Sequence, residues 1–163
     1  MADTAATPPR LDGLAFVEGL GPDDLARLGE IGATVAWKEG EAIYRAGQRD
    51  PRLYVVEEGR VALDLARLGY GPVTFLTVGP GEILGWSSLF HARPKTSTAR
   101  ALQATRAVAF DADRLRALCD ADPRFGYLVT RRILAAVADR LHAARLQLLD
   151  VFGRPEPIVR GGP

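Results

Sequence analysis

The sequence predicts a mixed β fold with flanking α-helices, and two patterns support this class. Between Thr34 and Phe110, short apolar runs alternate with glycine-containing turns, which is typical of a sandwich, a barrel or a jelly roll. After Asp111 the apolar residues recur at helical spacing, and no proline interrupts residues 124–150. At 163 residues, the chain is long enough to bury a sizeable core in one domain.

The N-terminal part predicts a tail and a first helix. We expect residues 1–10 to be flexible because they are rich in alanine, threonine and proline, and we expect the same of residues 151–163. The domain itself is predicted over residues 11–150. Gly21 and Pro22, followed by two acids, predict a short helix that extends through Ile31.

The strands and the later helices follow from periodicity. Residues 53–56 form an apolar run that stops before Gly59, and residues 61–65 alternate apolar with polar or small side chains. A turn at 69–72 precedes the apolar residues of 73–78, and residues 102–110 supply later strands. Asp111 and Asp113 predict the start of a short helix that ends before Pro123. One long helix is predicted over about 124–150, roughly 40 Å at 1.5 Å per residue.

Composition excludes several classes of protein. A net charge of +1 gives no electrostatic footprint for nucleic acid or an anionic membrane. No apolar run approaches the ~18 residues of a membrane span, and the first ten residues lack the apolar core of a signal peptide. Cys119 is the single cysteine, so neither an intrachain disulfide nor a cysteine-ligated cluster can form. We therefore expect a cytoplasmic protein without nucleic acid or membrane as partner.

The most distinctive segment is GPGEILGWSSLF at residues 79–90, followed by TSTAR at 96–100. A glycine-rich turn that leads into a hydroxyl-capped helical turn can present backbone N–H groups to an anion. Together with the order of elements, these segments resemble the phosphate-binding cassette of the cyclic-nucleotide-binding domains in the Crp/Fnr superfamily. The resemblance covers about residues 14–150. It implies a jelly roll (a double-stranded β-helix) with a long C-terminal helix.

The resemblance also implies a ligand site, although both of its charged anchors differ here. In the family a glutamate holds the ribose 2′-hydroxyl and an arginine pairs with the cyclic phosphate. Trp86 occupies the glutamate position, and the arginine position falls on residue 96 or 97. Arg93, Lys95 and Arg100 lie nearby but off the family position, and Arg100 is on a strand whose alternation can turn it outward. The candidate ligand-binding residues are Gly81, Glu82, Ile83, Leu84, Gly85, Trp86, Ser87, Ser88, Thr96, Ser97, Thr98 and Ala99.

Trp86 has two interpretations, because an indole donates a hydrogen bond and cannot replace a carboxylate acceptor. It either stacks on a flat ligand or fills the ribose site as core. Three functions follow. The first is a non-catalytic regulatory or sensor module that does not bind cAMP in the family's usual manner. The second is a ligand-free dimerisation or assembly subunit. The third is cAMP or cGMP binding through substitutes such as Arg93 or Arg100.

Catalysis, metal and haem have little support in the sequence. No nucleophile is paired with a base, and residues 79–81 lack the lysine of a P-loop. Some relatives are haem sensors, but His91 and His142 are each isolated, without a second ligand at helical or hairpin spacing. We expect no metal and no haem, and the identity of any ligand stays open.

The long helix predicts a partner surface. A heptad stripe runs along it, and in the resembling family this helix forms the dimer seam. The alternative is an amphipathic helix packed only on its own domain. We expect a homodimer, with a separate effector protein as a further partner. Only residues 151–163 follow the helix, so we expect no helix-turn-helix in this chain. The stripe consists of Tyr127, Thr130, Leu134, Val137, Leu141, Ala144, Leu148 and Val151.

Overall fold

The computed structural model describes residues 9–67, 69, 71–90 and 93–152, of which residues 147, 148 and 150–152 are described by their backbone alone. The two predicted tails lie largely outside these residues, and the boundaries of the predicted domain, 11–150, stay a prediction. The elements are a 3₁₀ turn (Ala15–Val17), α1 (Pro22–Ile31), β1 (Gly32–Trp37), β2 (Ala42–Tyr44), β3 (Arg52–Glu58), β4 (Val61–Arg67), β5 (Gly71–Val78), β6 (Ile83–Leu84), α2 (Ser87–Phe90), β7 (Thr98–Ala101), β8 (Thr105–Asp111), α3 (Ala112–Ala121) and α4 (Pro123–Phe152).

Two four-stranded antiparallel sheets form the roll. One sheet has the order β1-β8-β3-β6 and the other has the order β2-β7-β4-β5. The short helices flank this roll, and α4 follows as the long C-terminal helix. The predicted class, a jelly-roll β fold with flanking helices, is therefore confirmed.

The core is divided into two clusters because β3 is buried on both faces. Leu53 and Val55 pack against the helices, together with Phe110 and Phe125. Tyr54 and its neighbours on the opposite face fill the interior between the two sheets. A strand buried on both faces has no polar alternation, which explains why residues 53–56 read as one apolar run.

The junction between α3 and α4 is fixed by caps and by close packing. Asp111 accepts from the backbone N–H of Arg114 at 2.9 Å and so caps α3. Asp122 accepts from the first backbone N–H groups of α4, including that of Phe125 at 3.1 Å. A Cβ added to Gly126 would lie 2.7 Å from the backbone oxygen of Cys119. The two helices therefore cross at a point where only glycine fits.

An ion cluster fastens the start of α4 to α1. Asp24 is 1% exposed and accepts from Arg27 and, at 2.5 Å, from Arg124. Arg27 also donates to Asp122 at 2.9 Å. Burial acts to raise the pKa of Asp24, but its hydrogen bonds to the two guanidinium groups outweigh that effect and leave the pKa lowered. The first turn of α4 is thus fixed by charge as well as by apolar packing.

Candidate ligand site

The cassette begins with a tight turn after β5. The backbone N–H of Gly79 donates to Glu82 Oε2 at 2.6 Å, and the backbone N–H of Glu82 returns to the Gly79 oxygen at 3.1 Å. Gly81 has φ +80°, which a side chain would disfavour. The carboxylate of Glu82 therefore stabilises the turn itself.

Gly85 ends β6 at a point of close approach. Its φ is +74°, and a Cβ there would lie 2.5 Å from the Arg52 backbone oxygen and 3.3 Å from Lys95 Nζ. The single turn of α2 follows, and its Ser88 and Leu89 N–H groups donate back to Gly85 and Trp86. Gly85 thereby leaves room for the Lys95 ammonium to approach the cassette.

Lys95 is the central charge of this region. Its residue is only 6% exposed. The ammonium donates to Ser88 Oγ at 2.6 Å and to the Gly85 backbone oxygen at 3.4 Å, and it lies 4.9 Å from the centre of the Tyr44 ring. Within the described part of the chain, no carboxylate lies within ion-pair distance of it. Lys95 is therefore a buried cation that has hydrogen-bond partners but no counter-ion among the described residues.

Asp50, the carboxylate whose charge acts on Lys95, already has two hydrogen-bond donors. It accepts from Arg52 Nε at 2.9 Å and from the Tyr54 hydroxyl at 2.7 Å. Burial lowers the pKa of Lys95 below its usual range, the Arg52 charge adds to this effect, and Asp50 opposes it. Asp50 influences the Lys95 ammonium without neutralising it.

Long-range backbone contacts hold Lys95 in place. Its N–H donates to the Gln48 oxygen at 2.9 Å, and its own oxygen accepts from the Gly47 N–H at 2.8 Å. These bonds tie the segment between α2 and β7 to the turn after β2. The Lys95 side chain consequently enters the roll beside Tyr44 instead of pointing to solvent.

A cavity of about 380 Å³ lies between the roll and the second half of α4. Among the lining residues that the structure describes, none is an aspartate or a glutamate. Two cations, several hydroxyls and an apolar surface form its walls. The lining residues are Tyr44, Leu63, Phe75, Leu76, Gly85, Trp86, Ser87, Lys95, Thr96, Ser97, Val137, Arg140, Leu141, Ala143 and Ala144.

The predicted cassette residues separate into three groups. Gly85, Trp86, Ser87, Thr96 and Ser97 line this cavity, and Ser88 reaches it through Lys95. Leu84 and Ala99 are buried in the core, and Thr98 Oγ1 accepts from the backbone N–H of Ala46 at 3.1 Å. The remaining group lines a second cavity of about 380 Å³ that adjoins the first at Leu76, Arg140 and Ala143, and it consists of Gly81, Glu82 and Ile83.

Of the three nearby cations named from the sequence, Lys95 is the one that lines the cavity. Arg100 pairs with Asp64 at 3.1 Å across β7 and β4, and neither Arg100 nor Arg93 lines the cavity. The sequence pattern did not distinguish Lys95 from the two arginines. One weak signal existed, since Lys38 and Lys95 are the two lysines of an arginine-rich chain.

Trp86 is half-buried and packs against the apolar cluster between the sheet and the helices while one part of it lines the cavity. It does not fill the cavity. Tyr44, opposite the cassette, is buried, and this burial raises the pKa of its hydroxyl to about 12. A hydrogen bond with Ser97 and the charge of Arg140 oppose that rise, so Tyr44 presents a neutral hydroxyl to the cavity.

Arg140 connects α4 to the cassette. Its guanidinium donates to the backbone oxygen of Ile83, the residue that precedes Leu84 and Gly85. Burial lowers the pKa of Arg140, whereas Glu82 and Tyr44 act to raise it, and an arginine keeps its charge in either case. Arg140 lines both cavities, as Leu76 and Ala143 do.

The predicted seam of α4 is distributed over two environments. Tyr127, Thr130 and Leu134 are exposed. Val137, Leu141 and Ala144 line the cavity, and Leu141 is also half-exposed. The side chains of Leu148 and Val151 lie outside the described residues. The face of α4 that packs on the domain's own core consists of Phe125, Val129 and Ile133.

Other candidate chemistry is sparse in the described part of the chain. No three histidine, cysteine or acidic side chains there approach one another as metal ligands would. His142 is exposed on α4, and His91 lies outside the described residues. Burial, aided by Asp120, raises the pKa of the Cys119 thiol to about 11. In the same ranges, no helix has the length and apolarity needed to cross a bilayer.

The architecture of this domain combines a two-sheet roll, a glycine-rich cassette and a long helix beside a cavity. Residues 34–122 match the family model of the cyclic nucleotide-binding domain, and the chain belongs to that family. The resemblance inferred from residues 79–100 is therefore confirmed.

The relatives specify this assignment further. The chain is 29% identical over 136 residues to a CRP-like cAMP-activated global transcriptional regulator of Mycobacterium tuberculosis, covering 83% of this chain and 58% of that protein. It is 28% identical over 138 residues to the cyclic AMP receptor protein of Thermus thermophilus, covering 85% and 62%. The chain thus matches about three fifths of each curated relative's length. A putative cyclic nucleotide-binding protein of Geobacter metallireducens superimposes with a TM-score of 0.72 at 29% identity, covering 85% of this chain and 100% of that one.

Proposed function

We propose that this chain is a non-catalytic regulatory domain that binds a small anionic ligand in the cavity between the roll and α4. Lys95 supplies the cation in place of the family arginine. The single observation that carries the proposal is the buried Lys95 ammonium, which faces a cavity without any described carboxylate in its lining. A buried charge is costly unless it is compensated, and an anionic ligand would supply the missing counter-charge.

These residues do not support binding of a cyclic nucleotide in the family's usual manner. Trp86 stands where a carboxylate would accept from the ribose, and an indole cannot accept. The ammonium of Lys95 is a compact charge, whereas the guanidinium of an arginine is planar and donates two parallel hydrogen bonds. Lys95 would therefore donate single hydrogen bonds to a phosphate. A cyclic nucleotide is then a ligand of modest affinity that depends on Lys95.

Arg140 would couple ligand binding to the position of α4. It bonds to Ile83, two residues before Gly85, and it also lines the ligand cavity. An anion in the cavity offers its guanidinium a charged partner in place of a neutral carbonyl. Occupancy would therefore shift the population between two positions of the second half of α4. This is the regulatory output that we propose, acting on a second copy of the chain or on a separate effector protein.

The test is calorimetric titration of cAMP and cGMP into wild-type protein and two variants. Lys95→Met removes the cavity cation, and Arg100→Gln removes a cation that is paired with Asp64 outside the cavity. We expect saturable binding that weakens at least tenfold in Lys95→Met and changes less than about twofold in Arg100→Gln, because a hydrogen bond to a charged group contributes about 1.5–3 kcal/mol.

Thermal unfolding of both variants checks that they are folded. Equal affinity of wild type and a folded Lys95→Met would show that Lys95 does not contact the ligand. If instead no anion binds the wild-type protein at millimolar concentration, the domain is a ligand-free dimerisation or assembly subunit, and the proposed function is wrong.

A further inference from the structure

The walls of the ligand cavity also restrict the class of ligand, an inference that rests on the proposed function. One end of the cavity is positive. Lys95 and the hydroxyls of Thr96 and Ser97 are there, and the ammonium has one hydroxyl and one carbonyl as its oxygen partners. An ammonium carries three donors, so an incoming carboxylate or phosphate oxygen can take a further hydrogen bond from Lys95.

No charged acceptor lines this cavity among the described residues. A ribose or another polyol is recognised most strongly where its hydroxyls donate to a carboxylate, since charge-assisted hydrogen bonds are roughly twice as strong as neutral ones. Glu82 does not serve this purpose, because its Oε2 accepts from the Gly79 N–H at 2.6 Å and it lies on the second cavity. Asp50 is occupied by Arg52 and Tyr54. Among its described lining residues, the cavity therefore offers no charged acceptor to a ribose 2′-hydroxyl.

Apart from Arg140, the second cation of the lining, the remaining walls are mostly apolar and include aromatic rings. Leu63, Phe75, Leu76 and Val137 line the cavity together with part of the Trp86 indole. Aromatic faces favour flat partners in offset stacking, and a mostly apolar pocket with a few convergent polar groups is typical of a site for a small organic molecule. A volume of about 380 Å³ is enough for a fused two-ring compound.

We infer that the cavity selects a small anion on a flat apolar ring system and does not read a ribose 2′-hydroxyl. The negative group faces Lys95, and the ring lies against Trp86 and the aliphatic wall. Trp86 is thus a specificity residue, since its indole contacts the ring system of the ligand where the family carboxylate would bind a ribose hydroxyl.

Two matched pairs of probes test this inference on the wild-type protein. The first pair is 2-naphthoate and 2-naphthamide, which share a ring system and differ in charge. We expect 2-naphthoate to bind at least tenfold more tightly than 2-naphthamide and to quench Trp86 emission. Trp37 is buried and does not line this cavity, so Trp86→Phe should remove the quenching. Lys95→Met should abolish the difference between the two probes.

The second pair is cAMP and 2′-deoxy-cAMP, for which we expect affinities equal within about threefold. A tenfold preference for cAMP would overturn the inference and leave the proposed function standing, because the cavity would then read the ribose. Equal binding of naphthoate and naphthamide would overturn it as well. Absence of binding by all four probes would contradict the proposed function together with the inference.

Discussion

Both halves of α4 carry apolar side chains, but only the first half buries several of them in the core. In the first half, Phe125, Val129 and Ile133 are buried in the core of the same chain. In the second half, Leu141, Leu146 and Leu149 are at least half exposed, and two cavities that share Arg140 adjoin the helix. One continuous helix therefore has two environments: its first half completes the core, and its second half leaves apolar side chains uncovered within the described residues.

The contacts that hold the two halves of α4 against the rest of the domain also differ. The first half is held by apolar burial, by the Asp24 cluster and by the contact of Gly126 with Cys119. The contact that joins the second half to the cassette is the Arg140 hydrogen bond to a carbonyl. Segments with few buried apolar contacts open more readily than the core of a fold, so we expect the second half of α4 to open more readily than the first.

The strongest test of this contrast substitutes one aliphatic residue in each half. Ile133 is 1% exposed and Leu146 is 51% exposed. We expect Ile133→Ala to lower the free energy of unfolding by about 2–5 kcal/mol, because it leaves a cavity in the core. Leu146→Ala should lower it by less than about 0.5 kcal/mol. Urea unfolding followed by circular dichroism measures both, and similar losses would show that the halves are equally packed.

The next test concerns the proposed homodimer through the heptad stripe. Leu134 and Leu149 are 64% and 66% exposed, but only Leu134 belongs to the stripe. Leu134→Lys would bring two like charges together across a two-fold seam, so we expect self-association to weaken about 100-fold. Leu149→Lys should change it less than about threefold. Light scattering over a concentration series gives both values, and a wild-type monomer at every concentration would contradict the dimer.

The smallest effect is expected from removal of the link between α4 and the cassette. Arg140→Gln loses a charge-assisted hydrogen bond to Ile83 worth about 1.5 kcal/mol. The amides of residues 141–152 should therefore exchange with deuterium about tenfold faster, while those of residues 125–135 stay unchanged. Arg145→Gln, at an exposed position of the same half, is the matched control. Faster exchange throughout α4 would show that Arg140 supports the whole helix.

Local signals made much of this fold predictable. The starts of α1 and α3 were predictable because their signals act within one turn of the chain: a proline and two acids at α1, and an aspartate cap at α3. β3 was predictable because a strand buried on both faces appears in the sequence as one continuous apolar run. The long helix was predictable from its periodicity and its lack of internal proline.

The ligand site was predictable only in outline. The cassette turn follows from its glycines, but the position of Lys95 depends on backbone bonds to Gly47 and Gln48, almost fifty residues away in sequence. The pairing of Arg100 with Asp64 likewise depends on the register of β7 on β4. Nothing within a few residues of Lys95 or Arg100 encodes which of the two enters the roll.

The position of Arg140 along α4 gives the helix the properties of a lever. With the pivot at Val137, where apolar packing on the core ends, Arg140 acts about 4.5 Å from the pivot and residue 152 lies about 22 Å from it. A displacement of about 1 Å at Arg140 would therefore move the far end of α4 by about 5 Å. Such a sideways movement is about half the diameter of a helix with its side chains. A small adjustment around an anion would thus become a lateral shift of that size for whatever molecule touches the end of α4.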